Sequence, residues 1–124
     1  MLKRFSGIAC FVTNLEKTIS FYKSLGFTVA NFDKTHAIFK LGDFTIRFLD
    51  KDAIGKGIFE KEALAEPKGS GIYIDIEVKK IDEYYKDLKS NGIVSSEPKD
   101  WPWGRREFVL RDPDGYKLVF VQPI

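Results

Sequence analysis

The fold is decided by a stretch that occurs twice, GIACFVTNLEKTISFYKSLGF at residues 7–27 and YIDIEVKKIDEYYKDLKSNGI at residues 73–93. The two copies align without a gap, and their equivalent positions carry similar residue types: Val12 with Val78, Leu15 with Ile81, Gly26 with Gly92. A repeat at a fixed offset indicates that one structural unit is used twice. The sequence therefore predicts two modules of the same kind.

Each copy begins as a strand and continues as a helix. Apolar residues alternate with polar ones over 72–78, and Ile8, Cys10 and Val12 occupy the matching face in the first copy. This period of two predicts half-buried strands. Apolar residues then recur at helical spacing over 15–25 and 81–90. Asn14 is suited to cap the first helix, and a glycine ends each one.

Three more strands follow in each copy. We predict them at 27–32, 35–41 and 44–50, and at 93–97, 105–111 and 116–122. The last two strands of each set are joined by turn sequences, Gly42-Asp43 and DPDG at 112–115. The predicted class is α+β, with two tandem βαβββ modules whose mixed sheets form a cupped eight-stranded surface and whose helices lie outside.

The length of 124 residues suits a single domain. We expect it to consist of two modules, about 1–50 and 70–124, joined by a linker at 51–69 with a short helical turn near 59–65.

Composition excludes several partners and compartments. Twenty Lys and Arg residues against 18 Asp and Glu residues give a net charge of +2, too balanced to predict binding to nucleic acid or membrane. A single cysteine, Cys10, permits no disulfide within the chain and favours a reducing compartment. Met1 is followed by no long apolar run, so we expect neither a signal peptide nor a transmembrane segment. We expect a cytoplasmic protein.

The βαβββ repeat, with VTNLEKTISFYKSLGF at 12–27 and PWGRREFVLRDPDGYKLVF at 102–120, resembles the vicinal oxygen chelate superfamily. That superfamily includes glyoxalase I, extradiol dioxygenases and the fosfomycin- and bleomycin-resistance proteins. The second stretch looks most like the bleomycin-resistance branch. The resemblance implies a homodimer that binds an antibiotic stoichiometrically, without catalysis and without a cofactor.

Enzymes of the superfamily place a metal ligand on the first and last strand of each module. By this resemblance the positions here are Gly7, Arg47, Tyr73 and Val119. Glycine and valine offer no donor atom, arginine stays protonated, and a lone tyrosine does not make a divalent site. We therefore expect neither a metal nor a catalytic residue.

The faces that carry these positions predict a ligand site of mixed character. Two tryptophans lie in the predicted loop before 105–111, at the opening of the predicted cup. Arg105 or Arg106 can reach the same opening. Arg47 is expected to pair with Asp75 or with an anionic group of the ligand. The predicted ligand-binding residues are His36, Arg47, Leu49, Tyr73, Asp75, Trp101, Trp103, Glu107 and Val119.

Two other hypotheses stay open at this point. One is a metal-dependent lyase or dioxygenase of the glyoxalase type, with a displaced metal site around His36, Asp75 and Glu77. The other is a structural or regulatory module with an empty cup, in which the tryptophans seal an edge or a subunit interface.

Overall fold

The computed structural model describes residues 1–54 and 56–124. The chain divides into two compact units, Met1–Lys68 and Gly69–Ile124. No helix in the described ranges combines the length and the apolar character that crossing a membrane would require.

The first unit contains a four-stranded mixed sheet and one long helix. Its strands are β1 (Gly7–Val12), β2 (Val29–Phe32), β3 (His36–Leu41) and β4 (Phe44–Asp50), and helix α1 (Leu15–Ser24) follows β1. The strand order is β1-β4-β3-β2, with β1 parallel to β4 and the other pairs antiparallel. Strand β1 is an edge strand and is parallel to its neighbour β4. Parallel strands cannot be joined by a tight turn, and here α1, β2 and β3 lie between them in the chain.

Helix α1 begins where the sequence predicts. The Asn14 side chain accepts a hydrogen bond of 3.1 Å from the backbone N–H of Lys17, which satisfies a donor of the first turn. Tyr22, which is fully buried, packs on the sheet with its ring centroid 4.5 Å from that of Phe48 and 5.8 Å from that of Phe39. These rings form the core of the first unit.

The second unit repeats the plan. Its strands are β5 (Tyr73–Glu77), β6 (Lys99–Trp101), β7 (Arg105–Arg111) and β8 (Lys117–Pro123), with the order β5-β8-β7-β6 and the same parallel and antiparallel pairing. Helix α4 (Ile81–Ser90) packs on the stacked rings of Phe108 and Phe120, whose centroids are 5.1 Å apart. The predicted α+β class with two βαβββ modules and mixed sheets is confirmed.

One predicted strand is wrong. Residues 93–97 form no strand, and the edge strand of the second sheet is β6, which pairs with β7 through Lys99, Asp100 and Trp101. Pro98 has no N–H to donate, and the Ser96 hydroxyl accepts the hydrogen bond from the Val109 N–H that a backbone carbonyl would take in a ladder. Trp101 therefore lies in a strand rather than in the predicted loop.

The segment predicted as a linker contains short helices that pack on the first unit. Helix α2 (Lys51–Ile54), a 3-10 turn (Gly57–Phe59) and helix α3 (Glu60–Leu64) follow β4, whereas Gly55 lies outside the described residues. Ala63 is fully buried in a cluster with Phe11 and Leu49. These two side chains project from the sheet face opposite α1, so the segment covers one end of that face.

Candidate ligand-binding site

A pocket of 510 Å³ lies on the open face of the second sheet, opposite α4. Paired residues of neighbouring strands project to the same face, so the register that joins Tyr73 to Lys117, Val109 to Val119 and Lys99 to Glu107 brings them together. The apolar and aromatic part of the lining consists of Tyr73, Trp101, Trp103, Val109 and Val119. The polar part consists of Ser96, Glu97, Lys99, Arg105, Glu107 and Lys117.

Two stacked tryptophans form one wall of this pocket. The rings of Trp101 and Trp103 lie 4.8 Å apart between centroids, with planes inclined by only 10°. The ammonium group of Lys99 is 4.3 Å from the centroid of Trp101. Trp103 is 61% exposed, whereas Trp101 is half-buried. The outer indole therefore offers a large flat surface to solvent.

A chain of polar contacts holds the outer indole. The Trp103 Nε1–H donates to Glu107 Oε1 at 3.3 Å, and the same oxygen lies 3.1 Å from Arg105 Nε. The Arg105 Nη2 group donates to Asp75 Oδ1. Both carboxylates thus fix one guanidinium, and one of them also orients a ring of the tryptophan pair. Glu107 therefore contacts both the indole of Trp103 and the guanidinium of Arg105.

The guanidinium of Arg105 is held in its charged form. Its hydrogen bond to Asp75 is the main cause, and the negative charge of Glu107 adds to it, so the pKa of Arg105 lies above the ordinary value. The Nε atom is buried and makes no hydrogen bond with any described residue, since its contact with Glu107 has the distance of an ion pair but not the direction of a hydrogen bond.

Five predicted site residues meet in the pocket wall: Tyr73, Trp101, Trp103, Glu107 and Val119. Asp75 is not a lining residue, but it contacts one of them, Arg105. The sequence offered Arg47 as one partner for Asp75, and the structure pairs it with Arg105 instead.

The other three predicted residues lie in the first unit. His36 is the first residue of β3, and its Nδ1 is 3.1 Å from Asp33 Oδ1 and 3.0 Å from the Thr35 hydroxyl of the preceding turn. Leu49 is 8% exposed and belongs to the cluster under Ala63. Arg47 lines a separate hollow of the first sheet.

The sequence predicted the edge strand at 93–97 instead of 99–101, and several lining residues were missed for that reason. With the strand at 99–101, Lys99 and Trp101 are two residues apart and project to one face. Ser96 and Glu97 enter the wall from the irregular segment before it. The signal available in the sequence was Pro98, which is disfavoured within a paired strand.

The family model described as Glyoxalase/Bleomycin resistance protein/Dioxygenase superfamily matches residues 4–120 of the sequence. The chain belongs to this superfamily. No curated protein matches the sequence significantly.

Solved structures of the superfamily share the fold. A glyoxalase/bleomycin resistance protein/dioxygenase from Nocardioides has a TM-score of 0.82 at 23% identity, and the match covers 100% of this chain and 87% of the Nocardioides chain. A bleomycin-binding protein complexed with bleomycin has a TM-score of 0.72 at 22% identity, with coverage of 99% and 100%. TnmS3, an antibiotic binding protein from Streptomyces sp. CB03234, has a TM-score of 0.78 at 22% identity, with coverage of 99% and 98%.

The residues at the superfamily's metal-ligand positions do not fit a metal ion. At Gly7 the backbone leaves no room for a ligating side chain, because a Cβ atom there would lie 1.8 Å from the carbonyl oxygen of Thr45. Arg47 brings a positive charge, and Val119 has no donor atom. Within residues 1–54 and 56–124, no three His, Cys, Asp or Glu side chains are grouped closely enough to hold a metal.

Proposed function

We propose that this chain is a metal-free binding protein that sequesters a small amphipathic molecule, such as a bleomycin-type antibiotic, and thereby confers resistance. The observation that carries the proposal is the stacked pair of Trp101 and Trp103 on the pocket wall, with the outer indole open to solvent. An exposed indole whose orientation is fixed by a hydrogen bond offers a preorganised surface on which a ligand ring can stack.

The pocket chemistry suits a ligand with both a flat ring and polar groups. The Trp103 indole can stack on a heteroaromatic ring, and Val109 and Val119 add apolar surface next to it. Glu97 offers a carboxylate to a ligand ammonium or amide group, while Lys117 offers a donor to ligand carbonyls. Such a mixture on one wall favours an amphipathic molecule over a purely apolar one.

Similar proteins support the same ligand class. The bleomycin-binding protein and TnmS3 are antibiotic binders with this fold at 22% identity. We propose that the present chain acts by binding the compound without altering it, as a homodimer in the cytoplasm.

A titration with bleomycin tests the proposal. We expect saturable quenching of tryptophan fluorescence with one ligand per chain, because the stacked pair forms the pocket wall. Trp103→Ala should weaken binding, measured by calorimetry, by about tenfold or more, since stacking on a tryptophan contributes strongly at binding hot spots. The matched control is Phe5→Ala, which truncates an aromatic residue that is 94% exposed in the first unit and should leave binding unchanged.

Two outcomes would contradict the proposal. If bleomycin and a wider panel of aromatic antibiotics leave both the tryptophan emission and the melting temperature unchanged, the pocket is not a binding site of this kind. A stoichiometric divalent metal in protein purified without a chelating tag, with a higher melting temperature when that metal is added, would instead favour the glyoxalase-type enzyme.

A further inference from the structure

A second hollow, of 330 Å³, lies on the open face of the first sheet. Gly7 and Ala9 of β1 give its floor little side-chain bulk, and these residues lie beside Thr45 and Arg47 of β4 in the parallel register. The rim carries three cationic side chains: Arg4, Lys40 and Arg47.

The hollow is formed by the backbone of β1. Gly7 has a φ of 153°, and its close approach to the Thr45 carbonyl excludes a side chain at this position. Further along the same face, Phe11 and Leu49 are covered by Ala63 of α3. One half of the face is therefore filled by apolar packing, and the other half is left open beneath the cations.

In the part of the chain that the structure describes, no carboxylate lies within ion-pair distance of these three cations. Asp43 is the one acidic residue among the described lining residues. Arg105 and Arg106 of the second unit, by contrast, each contact two carboxylates. The first sheet thus holds a concentration of uncompensated positive charge.

The position of Arg47 is the most unusual. It projects from an inner strand, and its cross-strand neighbours are Ala9 on one side and Ile38 on the other. Neither neighbour can accept a hydrogen bond through its side chain. Arg47 is exposed, so its guanidinium is open to solvent and can be reached by a ligand that enters the hollow.

We propose that this hollow binds the anionic group, phosphate or carboxylate, of a small molecule. The planar guanidinium groups of Arg4 and Arg47 match such a group with two parallel hydrogen bonds, and Lys40 adds a third positive charge. The hydroxyl groups of Ser6 and Thr45 can donate further bonds from the rim and the floor. The described lining contains no aromatic residue, so recognition here rests on charge rather than on stacking.

Titration calorimetry in a buffer of low ionic strength tests this site, with inorganic phosphate, glycerol 3-phosphate and citrate as separate probes. We expect saturable binding that weakens as salt is added, because charge attraction is screened. The strongest of the three probes identifies the anion as free phosphate, a phosphate ester or a carboxylate. Lys40→Met and Arg47→Met should each weaken binding by about tenfold, since charge-assisted hydrogen bonds are lost.

Lys86→Met is the matched control, because it removes the same charge from the exposed side of α4 in the second unit and should leave binding unchanged. Arg47→Lys keeps the charge but loses the planar pair of donors, so its affinity should lie between those of the unaltered chain and Arg47→Met. The proposal is overturned if none of the probes binds saturably, or if Lys40→Met and Arg47→Met bind as tightly as the control. A failure of the bleomycin titration does not affect this result, since the two experiments use different ligands and different variants.

Discussion

Gly7 adopts a φ of 153°, and a Cβ atom there would lie 1.8 Å from the carbonyl oxygen of Thr45. A side chain at this position must therefore push β1 away from β4 as well as adopt an unfavourable backbone conformation. By contrast, Gly92 has a φ of 81° with no heavy atom within 4 Å of the Cβ position, so a substitution there meets only the backbone strain.

This difference predicts the relative cost of two alanine substitutions. Gly92→Ala should lower the free energy of unfolding by about 1 kcal/mol, the cost of a left-handed conformation. Gly7→Ala should cost at least about twice as much, since the strain of overpacking is added. Urea unfolding of both variants measures the difference. Equal losses would show that the two strands can separate without cost.

Part of the candidate site was predictable from residue types together with the family resemblance. Trp101 and Trp103 were proposed for their flat rings and Glu107 for its negative charge, and all three line the pocket. Leu49 was assigned to the ligand from the alternation of β4, which is correct for the direction of the side chain. The alternation could not show that Ala63, from a later segment, covers that side chain.

At the scale of elements, α4 meets the second sheet through Tyr84. Its ring centroid lies 5.3 Å from that of Phe120 and 6.0 Å from that of Phe108. Burial among these rings disfavours the phenolate and raises the pKa of Tyr84 to about 12, from an ordinary value of 10.0. The packing of this helix is therefore linked to pH in the alkaline range.

The raised pKa predicts how stability changes with pH. Below pH 10 the tyrosine is neutral in both the folded and the unfolded chain and contributes no pH dependence. Between about pH 10 and pH 12 the unfolded chain releases the proton first, so the free energy of unfolding falls as pH rises. Tyr84→Phe should show a shallower fall over this range in urea unfolding experiments. Identical slopes for both proteins would contradict the burial of the hydroxyl.

Among the elements, the regular repeats were predictable and the edge was not. The strands at 105–111 and 44–50 and the helix at 81–90 have the predicted bounds, because alternation and helical spacing report burial on one side. The strand at 93–97 failed because edge strands are buried less and their pattern is weaker. There, Ser96 and Pro98 determine where pairing begins.

At the scale of the whole molecule, two modules of one plan carry different open faces. The repeat aligns Gly7 with Tyr73 and Ala9 with Asp75, so small residues in one module correspond to an aromatic residue and a carboxylate in the other. The cross-strand partners differ as well: Ala9 lies beside Arg47 of β4, whereas Asp75 lies beside Val119 of β8. Divergence at the same backbone positions explains why one fold can offer one basic hollow and one aromatic pocket.

The proposed homodimer predicts a native mass spectrum with a species of twice the chain mass of 14.2 kDa. Its share should fall on dilution, because association depends on concentration. A spectrum that contains only the single chain at concentrations well above those of the ligand titration would contradict the homodimer. The one-to-one binding ratio per chain does not depend on that result, since the pocket of the second unit is formed by residues of one module.

The stacked tryptophans also give the pocket an optical signature of its own. Two indoles with centroids 4.8 Å apart and nearly parallel planes have strongly coupled electronic transitions, which give rise to a paired band in far-ultraviolet circular dichroism. A molecule that inserts between the rings removes the coupling, whereas one that stacks on the outer face of Trp103 preserves it. The chain therefore carries an intrinsic chromophore pair that reports how a guest is bound, without any attached label.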